Sequence, residues 1–141
     1  MTDLILKIQI GINAPKQKVW DALTNPIQIK KYMFGTEASS DWKVGSPITF
    51  RGEWEGKSYE DKGAILEMEK EKILKYNYWS NFSGDKDEPS NYSNITYLLG
   101  WQDGKTEFTV MQDNFKSEEA RAQSEKNWGM MLGTIKDLLE K

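Results

Sequence analysis

The segment near the C-terminus constrains the fold most, because it carries the longest helical pattern of apolar residues in the chain. Ser117 is a suitable N-cap for this helix, and Glu118 and Glu119 complement the helix dipole in its first turn. The pattern predicts an amphipathic helix of about 20 residues, roughly 30 Å long, with one face that must be covered. The residues at spacings of three and four are Trp128, Met131, Leu132, Ile135, Leu138 and Leu139.

Alternating apolar and polar residues predict that most of the remaining chain forms strands. The first strand is predicted at residues 4–12, where every second residue is Leu or Ile. Asp103-Gly104 is the strongest hairpin signal, and Gly63 suggests a bulge in a strand whose orientation stays open. The later strands are predicted to begin near residue 47, to cover about 58–68, 73–79 and 95–101, and to run from 104 to about 112.

Two short helices are predicted between the first strand and the others. Asn13-Ala14-Pro15 is typical of a helix start, with Asn13 as the cap and proline in the first turn. Asn25-Pro26 ends this helix, because the residue before a proline is disfavoured in the α region. A second helix is predicted over about 26–33. The apolar residues at helical spacing in the first helix are Val19, Trp20 and Leu23.

This order of elements predicts an α+β fold. An antiparallel sheet with one solvated face must cover its other face, and only the C-terminal helix is long enough to do so. We therefore predict a curved antiparallel β-sheet wrapped around a long C-terminal α-helix, with two short helices after strand 1 and space left between sheet and helix. The length of 141 residues suits one domain, and residues 1–141 are predicted to form a single domain.

Composition excludes several classes of chemistry and partner. The chain has no His and no Cys, so it lacks disulfides, a thiolate nucleophile, the usual triads and His-containing zinc sites. Its net charge of −3, with basic residues scattered among acidic ones, argues against a nucleic-acid partner. No metal-ligand spacing and no phosphate-binding motif is present, so neither a metal nor a cofactor is predicted. Without a signal peptide or an apolar run of about 20 residues, we expect no membrane span and a cytoplasmic location.

The start of the first helix resembles a known superfamily. Ile12-Asn13-Ala14-Pro15, followed by Val19-Trp20-Asp21-Ala22-Leu23-Thr24-Asn25-Pro26, is similar to the opening of the START-like (SRPBCC) helix-grip superfamily. More narrowly it resembles the branch related to the activator of the heat-shock protein 90 ATPase. The resemblance extends over essentially the whole chain through Gly35, Gly63, Gly104-Lys105-Thr106, Asn127-Trp128, Leu132 and Leu138.

The sequence departs from that branch at two places. Tyr32-Met33-Phe34 stands where the family often has Trp, and the His often found near Gln112 is missing, so no acid–base role is available there. The resemblance implies a helix-grip fold with an elongated cavity between the sheet and the C-terminal helix. It also implies ligands such as lipids, sterols or polyketides, enzyme activity in some members, and a co-chaperone role for the protein after which the branch is named.

The aromatic residues are the candidate ligand-binding set. Aromatic walls with a few placed polar groups are typical of ligand pockets, although the same residues could simply fill a core. Gln112 could supply an amide and Met131 an adaptable contact, and Trp101 is expected to project inward with the set. The predicted cavity-lining residues are Trp20, Tyr32, Phe34, Phe50, Trp54, Tyr76, Tyr78, Tyr97, Phe108, Val110, Gln112, Trp128, Met131 and Leu132.

Two further patterns bear on function. Asp61 and Glu67 share a face of the strand whose orientation stays open, so either carboxylate could point into a cavity. Most other carboxylates fall at turns or on outward positions, which favours a solvated face. Gly129 and Gly133 are four residues apart in the C-terminal helix, and we interpret them as a smooth side on which helix and sheet approach closely.

Three functions remain open at this stage. The leading hypothesis is a binding protein without catalytic residues that holds a hydrophobic or amphipathic small molecule in an internal cavity. A second, implied by the resemblance alone, is a co-chaperone-like module that binds a chaperone partner and stimulates its ATPase. A third is a cavity enzyme, which without His or Cys must use Asp, Glu, Tyr or Lys.

Overall fold

A computed structural model of the chain describes residues 4–33, 35–54, 56–80 and 86–140, and of Trp54 only the backbone. Phe34 lies outside the described residues. The strands are β1 (Leu6–Ile12), β2 (Glu37–Ser40), β3 (Pro47–Trp54), β4 (Lys57–Glu69), β5 (Ile73–Ser80), β6 (Ser93–Gln102) and β7 (Lys105–Gln112). The helices are α1 (Lys16–Thr24), α2 (Pro26–Tyr32) and α3 (Glu118–Glu140), and a 3₁₀ turn covers Pro89–Asn91.

The described strands form one antiparallel sheet in the order β1-β7-β6-β5-β4-β3-β2. The sheet is curved and its concave face receives α3, with α1 and α2 following the first strand. The predicted α+β helix-grip architecture is therefore confirmed. The β6–β7 hairpin turns at Asp103 and Gly104, which both have positive φ, 53° and 77°, as an Asp-Gly turn of this type requires.

Helix ends are formed partly as predicted. The side chain of Ser117 accepts a hydrogen bond from the Ala120 N–H at 3.1 Å and so caps α3. Asn25 separates α1 from α2, and its side chain accepts from the Ile27 N–H at 3.0 Å. The prediction that Asn13 caps α1 is wrong, because Pro15 occupies the cap position and the Asn13 N–H instead donates to Glu140 Oε2 at 2.8 Å.

The β4 strand differs from its predicted geometry. The bulge lies at Leu66, where the pairing with β5 shifts between Ile65 and Glu67. Gly63 serves another purpose, because a Cβ placed there would lie 1.7 Å from the backbone carbonyl oxygen of Asn77. Glycine thus permits close contact with β5 at this point. The edge strand β2 was not predicted, since its four residues show no apolar alternation.

The core lies between the concave face of the sheet and α3. On α3 the buried residues are Trp128, Leu132, Ile135 and Leu139. The expectation that Trp101 points inward is wrong: it is 55% exposed, because it lies two residues before the hairpin turn, beyond Leu99, where the buried alternation of β6 ends. The interpretation of Gly129 and Gly133 is also wrong: within the described residues, a Cβ at either position would meet nothing within 4 Å.

Candidate functional site

A cavity of about 540 Å³ lies between the sheet and the first half of α3 and opens to solvent. This volume falls within the range of small-molecule sites. Its wall is formed by residues of five strands, by residues of α3 and by the segment that follows α2. The lining residues are Met33, Thr36, Phe50, Glu53, Tyr59, Asp61, Tyr76, Tyr78, Ser80, Ile95, Gln112, Ser124, Asn127, Trp128 and Met131.

The predicted site residues divide between this wall and the closed core. Six of them line the cavity: Phe50, Tyr76, Tyr78, Gln112, Trp128 and Met131. Six others are buried in the core and do not line the cavity: Trp20, Tyr32, Tyr97, Phe108, Val110 and Leu132. The remaining two are Phe34 and Trp54. Phe34 lies outside the described residues, and of Trp54 only the backbone is described. Three of the wall residues, Phe50, Tyr76 and Trp128, also belong to the buried core, so the wall and the core share part of the aromatic set.

Core aromatic residues pack against one another and against the cavity-lining residue Trp128. Tyr97 makes edge-to-face contacts with Phe108 and Trp128, with ring centroids 5.4 Å and 5.9 Å apart. Tyr32 donates its hydroxyl to the Ala22 carbonyl at 2.9 Å, which ties α2 to α1. The contact with Tyr97 supports the Trp128 ring from the core side.

A hydrogen bond joins the two sides of the cavity. The Trp128 Nε1–H donates to Gln112 Oε1 at 2.8 Å, connecting α3 to β7. The carbonyl of the Gln112 amide therefore already accepts a hydrogen bond from within the protein. Gln112 faces Leu6 on one neighbouring strand and Ile95 on the other. It is the polar group among apolar neighbours that its place in the sequence suggested.

Buried tyrosine hydroxyls form a second polar feature. The hydroxyls of Tyr76 and Tyr97 lie 2.9 Å apart. Burial raises the pKa of Tyr97 to about 12 and raises the pKa of Tyr76 well above its usual value. Both groups are therefore neutral at ordinary pH and act as hydrogen-bonding groups in the interior.

Asp61 is a carboxylate that points into the cavity. Tyr78 donates its hydroxyl to Asp61 Oδ2 at 2.6 Å. Burial, and secondly the charge of Asp61, raise the pKa of Tyr78 well above its usual value. Among the described residues, Asp61 Oδ1 is buried and has no hydrogen-bond partner. The carboxylate is therefore half satisfied by the protein.

Glu67 does not share this position. The bulge at Leu66 reverses the alternation of β4, so that Glu67 is exposed opposite Lys75 and Met68 faces inward opposite Leu74. Without the extra residue, Asp61 and Glu67 would lie on the same face. The bulge thus leaves one inward carboxylate of the two that the sequence suggested.

Tyr59 and Thr36 form part of the wall that the sequence did not indicate. Thr36 donates its hydroxyl to the Met33 carbonyl at 2.7 Å and is hydrogen-bonded to the Tyr59 hydroxyl. Gly52 makes room for this tyrosine, since a Cβ there would lie 2.5 Å from the Tyr59 oxygen. Tyr59 and Asp61 are two residues apart and share one face of β4. The sequence would have indicated that Tyr59 also lies on the wall if the orientation of this strand had been known.

Metal-binding clusters and membrane-spanning helices are both missing from the part of the chain that the structure describes. It contains no group of three or more His, Cys, Asp or Glu placed to hold a metal ion. None of the helices formed by these residues is both long and apolar enough to cross a membrane.

Comparison with known families gives a match over most of the chain. The family model described as "Activator of Hsp90 ATPase homolog 1-like protein" matches residues 13–140. No curated protein matches the chain.

Solved structures share the fold. A protein from Cytophaga hutchinsonii is 46% identical, with a TM-score of 0.88 over 99% of this chain and 97% of its own. The Aha1 dimer from Colwellia psychrerythraea is 22% identical, with a TM-score of 0.78 over 99% of this chain and 97% of its own. DynU16, from the dynemicin biosynthetic locus, is 18% identical with a TM-score of 0.80, covering 99% of this chain and 48% of its own. The last two similarities show the fold alone.

Proposed function

Because the chain belongs to the family of Activator of Hsp90 ATPase homolog 1-like proteins, we propose that it binds a hydrophobic or amphipathic small molecule between the sheet and α3. The observation that supports this function most is the cavity of about 540 Å³ with its aromatic wall. Phe50, Tyr76 and Trp128 present ring surface to the space, which favours an apolar ligand body. Gln112 and Asp61 provide polar groups that would orient it.

Filling the cavity tests this proposal. The Met131→Trp variant places a larger side chain on the wall, whereas Met130→Trp changes the preceding residue, which is 59% exposed and not on the wall. Binding of the neutral fluorescent probe N-phenyl-1-naphthylamine is measured by its emission. We expect Met131→Trp to weaken binding at least about 10-fold, a loss near 1.4 kcal/mol. Met130→Trp is expected to bind like the wild type.

The proposal fails if the wild-type protein takes up neither this probe nor any member of a broad panel of apolar molecules in native mass spectrometry. It also fails if both tryptophan variants bind the probe as well as the wild type does. A shared loss in both variants would place the probe on the surface of α3 and not in the cavity.

The family description supports a second candidate, a module that stimulates a chaperone ATPase. Such a role requires a docking surface, and Ile27, Trp101 and Met130 are large apolar side chains that are more than half exposed. The ATPase rate of a purified heat-shock protein 90 chaperone is measured with and without the protein. No change in rate at saturating protein counts against this function, and stimulation that survives Met131→Trp separates it from ligand binding.

A cavity enzyme remains the third candidate, and the inward Asp61 beside Tyr78 favours it. A carboxylate with one unpaired oxygen is suited to removing a proton from a bound substrate. Turnover of a carbonyl-containing ligand that is abolished in Asp61→Asn, with binding retained, would distinguish this function from simple binding.

A further inference from the structure

The unpaired oxygen of Asp61 limits what the cavity can hold. The residue lies on β4 between Phe50 of β3 and Ser80 of β5, on the inner face of the sheet. One oxygen accepts from Tyr78, while Oδ1 is buried without a partner among the described residues. A buried carboxylate oxygen that has lost its water and gained no donor is costly. A donor from outside the protein would remove that cost.

The charge of the wall points to the kind of donor. Among the described residues that line the cavity, two are acidic, Glu53 and Asp61, and none is Lys or Arg. The cations beside Asp61 in the sequence and sheet are engaged elsewhere: Lys62 pairs with Asp87 at 2.5 Å, and Arg51 with Glu60 at 2.8 Å. No described cation on this wall therefore neutralises Asp61. Glu53 is exposed and adds negative potential at the opening, which attracts cations.

We propose, on the basis of the cavity-binding function above, that the ligand is a cationic amphiphile whose protonated amine is held by Asp61. The apolar body of the ligand lies against Phe50, Tyr76 and Trp128, and the ammonium group lies at the carboxylate. Oδ1 comes into reach by a small turn of the carboxylate about its Cβ–Cγ bond, which is a soft torsion. The ammonium group then makes a charge-assisted hydrogen bond and neutralises the buried charge.

Three probes of equal chain length test the proposal: dodecylamine, dodecanol and sodium dodecanoate. Each is titrated below its micelle concentration against the protein loaded with N-phenyl-1-naphthylamine, and the displacement constant is measured. We expect the affinity for the amine to exceed the affinity for the alcohol about 10-fold. The carboxylate should bind most weakly, because the two carboxylates of the wall repel it.

The Asp61→Asn and Glu67→Gln variants provide the matched comparison. Asp61→Asn keeps the size of the side chain but removes its charge, whereas Glu67 is an exposed carboxylate on the same strand. Asp61→Asn should cost the amine about 10-fold in affinity and leave dodecanol nearly unchanged. Glu67→Gln should change neither.

The outcomes separate this inference from the function on which it rests. If the alcohol binds but the wild type shows no preference for the amine, the cavity binds ligands and the amine proposal is overturned. Tighter binding of the carboxylate overturns it as well. If the protein binds the reporter but none of the three probes displaces it, the amine proposal is overturned and the cavity-binding function stands. If the protein takes up neither the reporter nor any of the three probes in native mass spectrometry, the cavity-binding function itself fails. The wild-type comparison decides the matter even if Asp61→Asn does not fold.

Discussion

The two halves of α3 pack very differently against the same sheet. The closed half, residues 132–139, buries Leu132, Ile135 and Leu139 in the core. The open half, residues 124–131, presents Ser124 and Met131 to the cavity. The buried stripe of α3 begins only at Trp128, and the polar residues before it, Ser124 and Asn127, border the cavity instead of filling it.

Polar contacts reinforce this difference. At the closed end, the Lys18 Nζ donates to the Leu139 carbonyl at 3.0 Å, and the Lys136 Nζ donates to the Gly11 carbonyl at 3.1 Å. At the open half, the bond from Trp128 to Gln112 is the described side-chain link to the sheet. The closed end anchors the helix to α1 and β1, so the open half can stand away from the sheet without losing the fold.

The largest expected effect tests whether the sheet beneath the cavity is itself loosely packed. In Gly63→Ala the new Cβ would lie 1.7 Å from the Asn77 carbonyl oxygen, which forces β4 and β5 apart. We expect the free energy of unfolding to fall by more than about 3 kcal/mol. In the control Gly129→Ala, nothing lies within 4 Å of the added methyl group and helix propensity improves, so stability should rise by up to about 1 kcal/mol.

Urea denaturation measures both changes. Equal stability of Gly63→Ala and wild type would mean that the backbones of β4 and β5 can move apart at little cost. That result would contradict a cavity that is formed by side chains above a well-packed sheet.

The contrast between neighbouring residues of α3 is the next test. Leu132 is almost fully buried in the closed half, whereas Met131 borders the cavity. Leu132→Ala should cost about 3 kcal/mol, because it removes core contacts and leaves a void. Met131→Ala should cost less than about 1 kcal/mol, since it only enlarges a space already open to solvent. Similar losses in chemical denaturation would contradict the division of the helix into two halves.

The sequence predicted which faces of most strands and of α3 point inward, but it could not predict which inward residues border a cavity. Helical spacing identified Leu132 and Ile135, and alternation identified Tyr76 and Tyr78, so the fold and the facing surfaces followed from periodicity. Periodicity reports only which face a residue occupies. It cannot tell a core position such as Phe108 from a cavity position on the same face.

Two features of the site escaped prediction for specific reasons. Asp61 and Glu67 share a face only if the strand is regular, and the bulge at Leu66 is a register shift with no sequence signal of its own. Ser124 and Asn127 are polar helix residues, indistinguishable by sequence from those that face bulk solvent. A cavity wall made of such residues becomes recognisable only when the sheet is placed opposite.

A smaller effect concerns Tyr97, which lies between the closed core and the cavity wall. Its folded pKa of about 12 exceeds the ordinary value of 10.0 because the ring is buried. The folded state therefore holds the proton more tightly, so this stabilisation is complete below about pH 10 and is lost as the pH rises toward 12. We expect about 2 to 3 kcal/mol less stability by then from this residue.

Comparison with Tyr97→Phe isolates the tyrosine from other groups that titrate in the same range. The variant should lose less stability than the wild type between pH 9 and 12, as measured by urea denaturation at each pH. Parallel curves for the two proteins would show that Tyr97 is solvated, and that the cavity extends further into the core than the structure places it.

A modest effect is expected from the hydrogen bond that links the open half of α3 to the sheet. Trp128→Phe keeps a ring against Tyr97 but removes the Nε1–H that donates to Gln112. The loss should be about 1 kcal/mol, because Gln112 Oε1 lies at a solvent-accessible cavity and can bind water instead. A double-mutant cycle with Gln112→Leu should give a coupling of similar size. Hydrogen exchange should accelerate at residues 118–127 and stay unchanged at 132–139, since the closed half keeps its own anchors; uniform acceleration would mean that α3 opens as one unit.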